Sequence, residues 1–345
     1  MRAVVAYGPG DLRVEQRPDP EPGPGEALIR MAFGGICGSD LSYWRHGSTG
    51  AAVMTEPLVL GHEVSGRIAA FGPGPGPEGL AVGDPVTVHP ATVVGDDPLP
   101  ERIAGRTNLH QVVRYFGSAA FTPHTPGGFA DFRTVPVGQL RPVPSGVDLR
   151  RAAVAEPLGV ALHAVNRAGD VAGRTVLVSG CGPIGVLVVA AARAAGAAAI
   201  TVADVAPYPL GIARRMGADV AIDLSAGEPL PADVEVAFEA SGAPAAVGPV
   251  LAATARGGVL VQVGNLPAGP HPTDLAALVS REIDYRGSYR FVDEISDALA
   301  LLADGLDVEP MISHTFGLDR VAEAFEVAAG QTSSKVLLEF DVPPS

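Results

Sequence analysis

Lysine is almost absent from this chain. Of its 24 basic residues, only Lys335 is a lysine. A Walker phosphate loop needs Gly-Lys-Ser/Thr, and none occurs. A Tyr-x-x-x-Lys dehydrogenase dyad would need a tyrosine at position 331, where Gln331 stands. A Schiff-base lysine could only be Lys335, and the apolar run Val336-Leu337-Leu338 beside it reads as a C-terminal strand. Cysteine is scarce as well. Cys37 and Cys181 make no disulfide framework and fit a reduced, cytoplasmic compartment. The opening stretch MRAVVAYGPGDLRV has no apolar leader core. No apolar run reaches 18 residues; the most apolar stretch, Ile184 to Ala192, ends at Arg193. Positive charge is in deficit, with 24 basic against 38 acidic residues and a net charge of −14. Phosphate backbones and anionic membrane surfaces attract basic proteins, so neither nucleic acid nor membrane is an expected partner.

What is present is a large apolar content. The chain has 345 residues, 47% of them hydrophobic, enough for about two domains with buried cores. Its 43 glycines and 32 prolines punctuate folded segments rather than forming a low-complexity tract. Residues 1–150 read as β-rich: short apolar segments at Ala3–Ala6, Ala27–Met31, Val86–His89 and Phe132–Val135 are separated by Gly/Pro turns. Residues 90–128 are polar and irregular, which marks a functional lobe. Near residue 150 the pattern changes. Leu158, Ala161, Leu162 and Val165 have helical spacing. After them, strands alternate with helices: strands are predicted at 175–179, 199–203, 220–223, 234–239, 258–263 and 284–287, helices at 184–195, 209–216 and 245–255. That alternation means a doubly wound parallel sheet. Helices over 295–302 and 319–328 and a strand over 335–340 complete the prediction.

Gly180-Cys181-Gly182-Pro183-Ile184-Gly185 follows a predicted strand and opens a predicted helix. Glycines there permit a tight turn and let backbone amides reach a pyrophosphate at the helix N-terminus. Asp204 ends the next strand, where a carboxylate binds the adenine-ribose hydroxyls and repels a 2′-phosphate. No basic residue follows at Val205, Ala206 or Pro207, so NAD is expected over NADP.

A second constellation joins Cys37 in GGICGSD, His62-Glu63 in LGHEVSG and Glu156 in VAEPLGVALHA. Thiolate, imidazole and carboxylate together suit zinc, and an open fourth position suits catalysis. Singly, each has an ordinary alternative as a buried cysteine, a core histidine or a helix-start glutamate.

Together these segments resemble the zinc-containing medium-chain alcohol and polyol dehydrogenases. The resemblance spans almost the whole chain, including Gly83-Asp84 and Glu239-Ala240-Ser241-Gly242. The polyol branch fits best. Tyr115-Phe116-Gly117-Ser118-Ala119, Pro123-His124, Gly127-Gly128-Phe129 and Arg286-Gly287-Ser288-Tyr289-Arg290-Phe291 resemble the L-idonate 5-dehydrogenases within it. One departure is Pro75, where that family carries a small aliphatic residue and which implies a rebuilt turn.

The resemblance implies an α/β fold, a Rossmann domain over 153–290 and a GroES-like β-rich catalytic domain over 1–152 completed by 291–345. It implies zinc on Cys37, His62 and Glu156, with Glu63 as an alternative ligand or a carboxylate just behind the metal. Ser39 would relay the alcohol proton. Tyr43, Phe116, Arg290 and Phe291 would line the substrate pocket. Gly180, Gly182, Pro183, Ile184, Gly185, Asp204, Ser241, Val263, Gly264 and Ser288 would line the cofactor. Asp40 would hold the metal loop, and His163 would pack. Cysteines that bind a structural zinc in such proteins are replaced by Val94, Asp97 and Pro100, with His110 near the fourth place. One zinc per chain is therefore expected. The expected substrate is a polyol or sugar acid, and the expected assembly a homodimer or homotetramer. Two other readings stay open: a dehydrogenase of an aminocyclitol or another secondary alcohol, and a non-catalytic nucleotide sensor on the same fold.

Overall fold

A computed structural model describes residues 1–74 and 76–340. The turn expected to be rebuilt at Pro75 lies outside the described residues. Six parallel strands form one sheet in the order Val220–Asp223, Ala199–Asp204, Thr175–Ser179, Val234–Glu239, Thr254–Gln262, Asp284–Gly287. Numbered along the chain, this is the order 3-2-1-4-5-6 of a dinucleotide-binding sheet. The central strands are apolar because helices cover both faces. Val176, Val178, Val236, Phe238 and Val261 join one core; Leu177, Ala237 and Leu260 face the other side. The order reverses between Thr175–Ser179 and Val234–Glu239, which opens a crevice at their C-terminal ends.

The second sheet has seven strands. Its order is Leu140–Pro142, Pro85–Val88, Glu63–Phe71, Glu26–Gly35, Lys335–Glu339, Ile312–Gly317, and Phe132–Pro136 also pairs with Glu26–Gly35. The chain's last strand is thus threaded beside its third. Within the expected irregular lobe over 90–128, Ala91–Val93 pairs with Val113–Tyr115 and Ser118 bridges Thr125.

The return from one domain to the other is gradual. Phe291, Ile295, Ala298, Leu299 and Leu302 pack into the core of the parallel-sheet domain, through the helix Glu294–Ala303. Phe316, Leu318, Phe325, Val336 and Leu338 belong to the core of the other. The segment 289–293 is fastened to the β-rich part at three points. Asn108 Nδ2 donates to Tyr289 O (2.7 Å), a ring nitrogen of His89 lies 2.8 Å from Val292 O, and Arg141 Nε donates to Asp293 (2.9 Å).

Candidate active site

The metal-type donors come together because two strands pair. Gly35 lies opposite Glu63 at the ends of Glu26–Gly35 and Glu63–Phe71. The loops leaving those ends carry Cys37 and His62. A Cβ at Gly35 would lie 2.1 Å from Glu63 Oε2, so any side chain there would displace that carboxylate. Gly61 has φ +94°, a left-handed conformation that glycine adopts freely. A Cβ there would also strike the Phe129 ring, at 2.1 Å.

Cys37 is the N-cap of the helix Gly38–His46. Asp40, fully buried, accepts from Cys37 N and Gly61 N, each at 3.0 Å, and lies 4.0 Å from His62 Nδ1. It ties the two metal loops together, as expected of it. Ser39 sits in the first turn of that helix, partly exposed. Its hydroxyl has no protein partner among the described residues.

Donor atoms of Cys37, His62 and Glu63 lie within 4.8 Å of one another, and among the described residues no other cluster of this kind occurs. A thiol, an imidazole and a carboxylate at that spacing fit a zinc ion. The surroundings favour positive charge there. Burial opposes protonation of His62, but Cys37 and Asp40 outweigh it and hold the imidazole well above its ordinary range. Glu156 is not part of that trio. It lies in the first turn of the helix Ala155–Ala168 and accepts the Tyr115 hydroxyl at 2.5 Å. Burial raises its carboxyl to about 6, against the pull of His62. Burial, then the Glu156 charge, pushes the Tyr115 phenol well above its usual value.

Two residues here were invisible as site residues in the sequence. Lys335 reaches Glu63 at 2.6 and 2.8 Å and Ile36 O at 3.2 Å. Its one sequence signal was being the sole lysine. Tyr115 signalled itself only as part of a resembling segment.

The expected substrate residues divide. Arg290 has φ +52°, unusual for a non-glycine, and its guanidinium lies 4.2 Å from the Tyr115 ring centre and 4.9 Å from that of Tyr289. It therefore stands one residue away from Glu156. Tyr43 is in the β-domain core, its hydroxyl accepting from Ala119 N at 3.0 Å. Phe116 is buried in the same core, with the Arg133 guanidinium over its ring. Phe291 is buried in the other core, edge-on to His89. Both ring nitrogens of His124 are engaged within the β-rich part, with Thr55 N and Phe121 O. His163 packs as expected, its Nδ1 2.7 Å from Glu294 Oε1.

The glycine turn divides its labour. Gly180 has φ +93°, and a Cβ on it would meet Ser241 N at 2.5 Å. Gly182 faces open space at the N-cap of the helix Pro183–Ala194. A Cβ on Gly185 would strike Gly180 O at 1.9 Å, so its role is close packing of helix on turn. Ile184 packs against the core of the parallel-sheet domain. Asp204 accepts from Cys181 N (2.6 Å) and Ala206 N (2.9 Å), which fixes its carboxylate beside the turn. Buried Glu239, across the crevice, accepts from Ser241 N and Oγ, Gly242 N and Gln262 Nε2. The Ser241 hydroxyl is thus engaged with protein. Val263 N and Gly264 N donate to Glu239 O, and the Ser288 hydroxyl is buried without a partner.

A doubly wound sheet with this turn, joined to a β-rich domain holding a three-donor metal cluster, is the architecture of a zinc-type dehydrogenase. The comparisons make the family specific. The family described as "Alcohol dehydrogenase GroES-like domain" matches residues 23–145, and "Zinc-binding dehydrogenase" matches residues 183–304. Sorbitol dehydrogenase of Gallus gallus is 36% identical over 350 residues, covering 98% of this chain and 96% of that protein. L-idonate 5-dehydrogenase (NAD(P)(+)) of Escherichia coli K12 is 37% identical over 320 residues, covering 91% of each. The crystal structure of L-idonate 5-dehydrogenase from Escherichia coli K-12 superposes with a TM-score of 0.90 at 35% identity, covering 98% of both chains. This chain belongs to the zinc-containing medium-chain dehydrogenase family, and it is an alcohol or polyol dehydrogenase.

Proposed function

We propose that the chain oxidises a secondary carbinol of a polyol or sugar acid with NAD, using one zinc per chain. The observation that carries this is the Cys37–His62–Glu63 cluster with Glu156 beside it. The sorbitol and L-idonate dehydrogenase relatives supply the substrate class.

Cys37, His62 and one of the two glutamates would hold the zinc. When bound, zinc supplies a Lewis acid and the nicotinamide a hydride acceptor. The chain's own residues do the rest. Ser39, two residues from Cys37 and free of protein partners among the described residues, takes up the carbinol proton. Amides at the start of the helix Pro183–Ala194 bind the pyrophosphate. Asp204 accepts from the adenine ribose and disfavours a 2′-phosphate. Arg290 has no carboxylate partner among the described residues, so its N–H edges are available to a substrate carboxylate or hydroxyl. A cytoplasmic homodimer or homotetramer belongs to the proposal. The outer strand Asp284–Gly287 leaves one sheet edge open, with Tyr285 and Tyr289 exposed. Among the described residues no helix is long and apolar enough to cross a membrane.

The test is reduced-cofactor formation on a panel of neutral polyols and sugar acids, with zinc-replete protein. Turnover of at least one secondary alcohol is expected, and Arg290→Ala should raise KM for acids more than for neutral polyols. No turnover anywhere on the panel would overturn the proposal.

A further inference from the structure

Arg290 is held in a strained shape. Its φ of +52° lies in a region that residues other than glycine rarely adopt. Such a conformation persists only where its surroundings over-determine it. Beyond Arg290 the chain is well fastened. A ring nitrogen of His89 lies 2.8 Å from Val292 O, and Glu294 accepts from Val292 N (2.6 Å) and Asp293 N (3.2 Å). Before Arg290 there is one bond, from Asn108 Nδ2 to Tyr289 O at 2.7 Å. Among the described residues it is the only hydrogen bond to the backbone of 289–291. The Tyr289 carbonyl belongs to the peptide plane that turns about φ of Arg290, so fixing its oxygen fixes that angle.

Stability alone does not explain Asn108. It is 6% exposed, in the turn Thr107–Leu109, and its Oδ1 is buried without a partner. A buried unpaired acceptor destabilises a fold by about as much as one hydrogen bond stabilises it, so the net contribution of this amide is small. Turning the amide over would set Oδ1 against the Tyr289 oxygen. What the residue does achieve is a donor placed, from the β-rich part, on the peptide that precedes Arg290. The Arg290 guanidinium then lies 4.2 Å from the ring centre of Tyr115, whose hydroxyl bonds Glu156.

We propose that Asn108 is a positioning residue for substrate selectivity: by holding Tyr289 O it keeps Arg290 in the left-handed conformation that sets its guanidinium over Tyr115. The inference deepens the substrate reading above and rests on it, with Arg290 as the group that meets a substrate carboxylate.

Two variants test it, Asn108→Leu, which matches asparagine in size, and Asn108→Ala. Both should raise KM for sugar acids roughly 5-fold, the worth of one hydrogen bond. KM for neutral polyols should move less, and kcat should stay within about 2-fold. In an Arg290→Ala background the same changes should shift KM for acids less than about 2-fold, because the two residues act as one unit. Hydrogen exchange gives a readout without turnover: amides of 289–293 should exchange faster in both variants, while those of Thr175–Ser179 keep the wild-type rate. Equal KM changes for acids and neutral polyols, a full effect persisting beside Arg290→Ala, or unchanged exchange over 289–293 would each overturn the inference. If Arg290→Ala discriminates against acids and the Asn108 variants do not, the inference alone fails. If the wild type turns over no alcohol, or Arg290→Ala does not discriminate, the substrate reading fails and the inference falls with it.

Discussion

Lys335 Nζ lies 2.6 and 2.8 Å from the two carboxylate oxygens of Glu63, with both side chains almost wholly buried. Burial opposes the charge on Lys335, but Glu63, then Cys37, outweighs it and raises the ammonium above its usual value. Glu63 is itself one of the three metal-type donors, so the chain's one lysine serves the site rather than the surface.

Removing one member of a buried ion pair leaves the other uncompensated, a loss of about 3–5 kcal/mol. Lys335→Met should therefore lower stability strongly in metal-free protein. Zinc should recover part of the loss, because it supplies positive charge to Glu63. Adding Glu63→Gln should recover part of it without metal. Denaturant melts of the three proteins, with and without zinc, check this; equal melts for wild type and Lys335→Met would contradict it.

A second buried pair, His163 and Glu294, predicts a pH effect. Burial opposes ionisation of Glu294, yet His163 and the Val292 amide outweigh it and hold the carboxyl down at about 2. The folded value is below the ordinary one near 4.5, so the stabilisation is full above that value. It is lost as pH falls toward 2. Glu294→Gln should cost roughly 1–3 kcal/mol at pH 7. Urea melts at pH 7 and at pH 3 should show that cost shrinking in acid; a constant cost would mean that the charge on Glu294 contributes nothing.

Cofactor choice is expected to turn on Asp204, pinned beside the glycine turn by Cys181 N and Ala206 N. kcat/KM should favour NAD over NADP, and Asp204→Ser should narrow the ratio at least 10-fold. Equal values in the wild type would show that the carboxylate does not meet the ribose.

The parallel sheet was legible almost residue by residue. Thr175–Ser179, Val220–Asp223, Val234–Glu239 and Asp284–Gly287 coincide with their predicted spans. Buried parallel strands are short apolar runs, and glycine turns bracket them. The β-rich half was less legible. In the sequence Glu63–Phe71 shows only as a metal motif, because Gly66 and Arg67 interrupt its strand pattern. Packing explains the glycine: a Cβ at 66 would meet Arg30 O at 2.2 Å. The helix Gly38–His46 leaves no sequence signal, because Gly38, Ser39 and Asp40 open it with weak helix formers. Cys37, His62 and Glu63 were legible as types of ligand. The partners of the two glutamates were not, since Lys335 reaches Glu63 from 272 residues away and Tyr115 reaches Glu156 from 41. Local patterns carry no such information.

Metal content tests the account most directly. Where the resemblance leads one to expect structural-zinc cysteines the chain has Val94, Asp97 and Pro100, and the His110 ring bonds the backbone oxygen of Asp97. Dialysed wild-type protein should hold about one zinc per chain. Cys37→Ser should hold far less, make no reduced cofactor, and still bind NAD. Two zinc ions per chain, or a Cys37→Ser protein that keeps both its zinc and its turnover, would contradict the account.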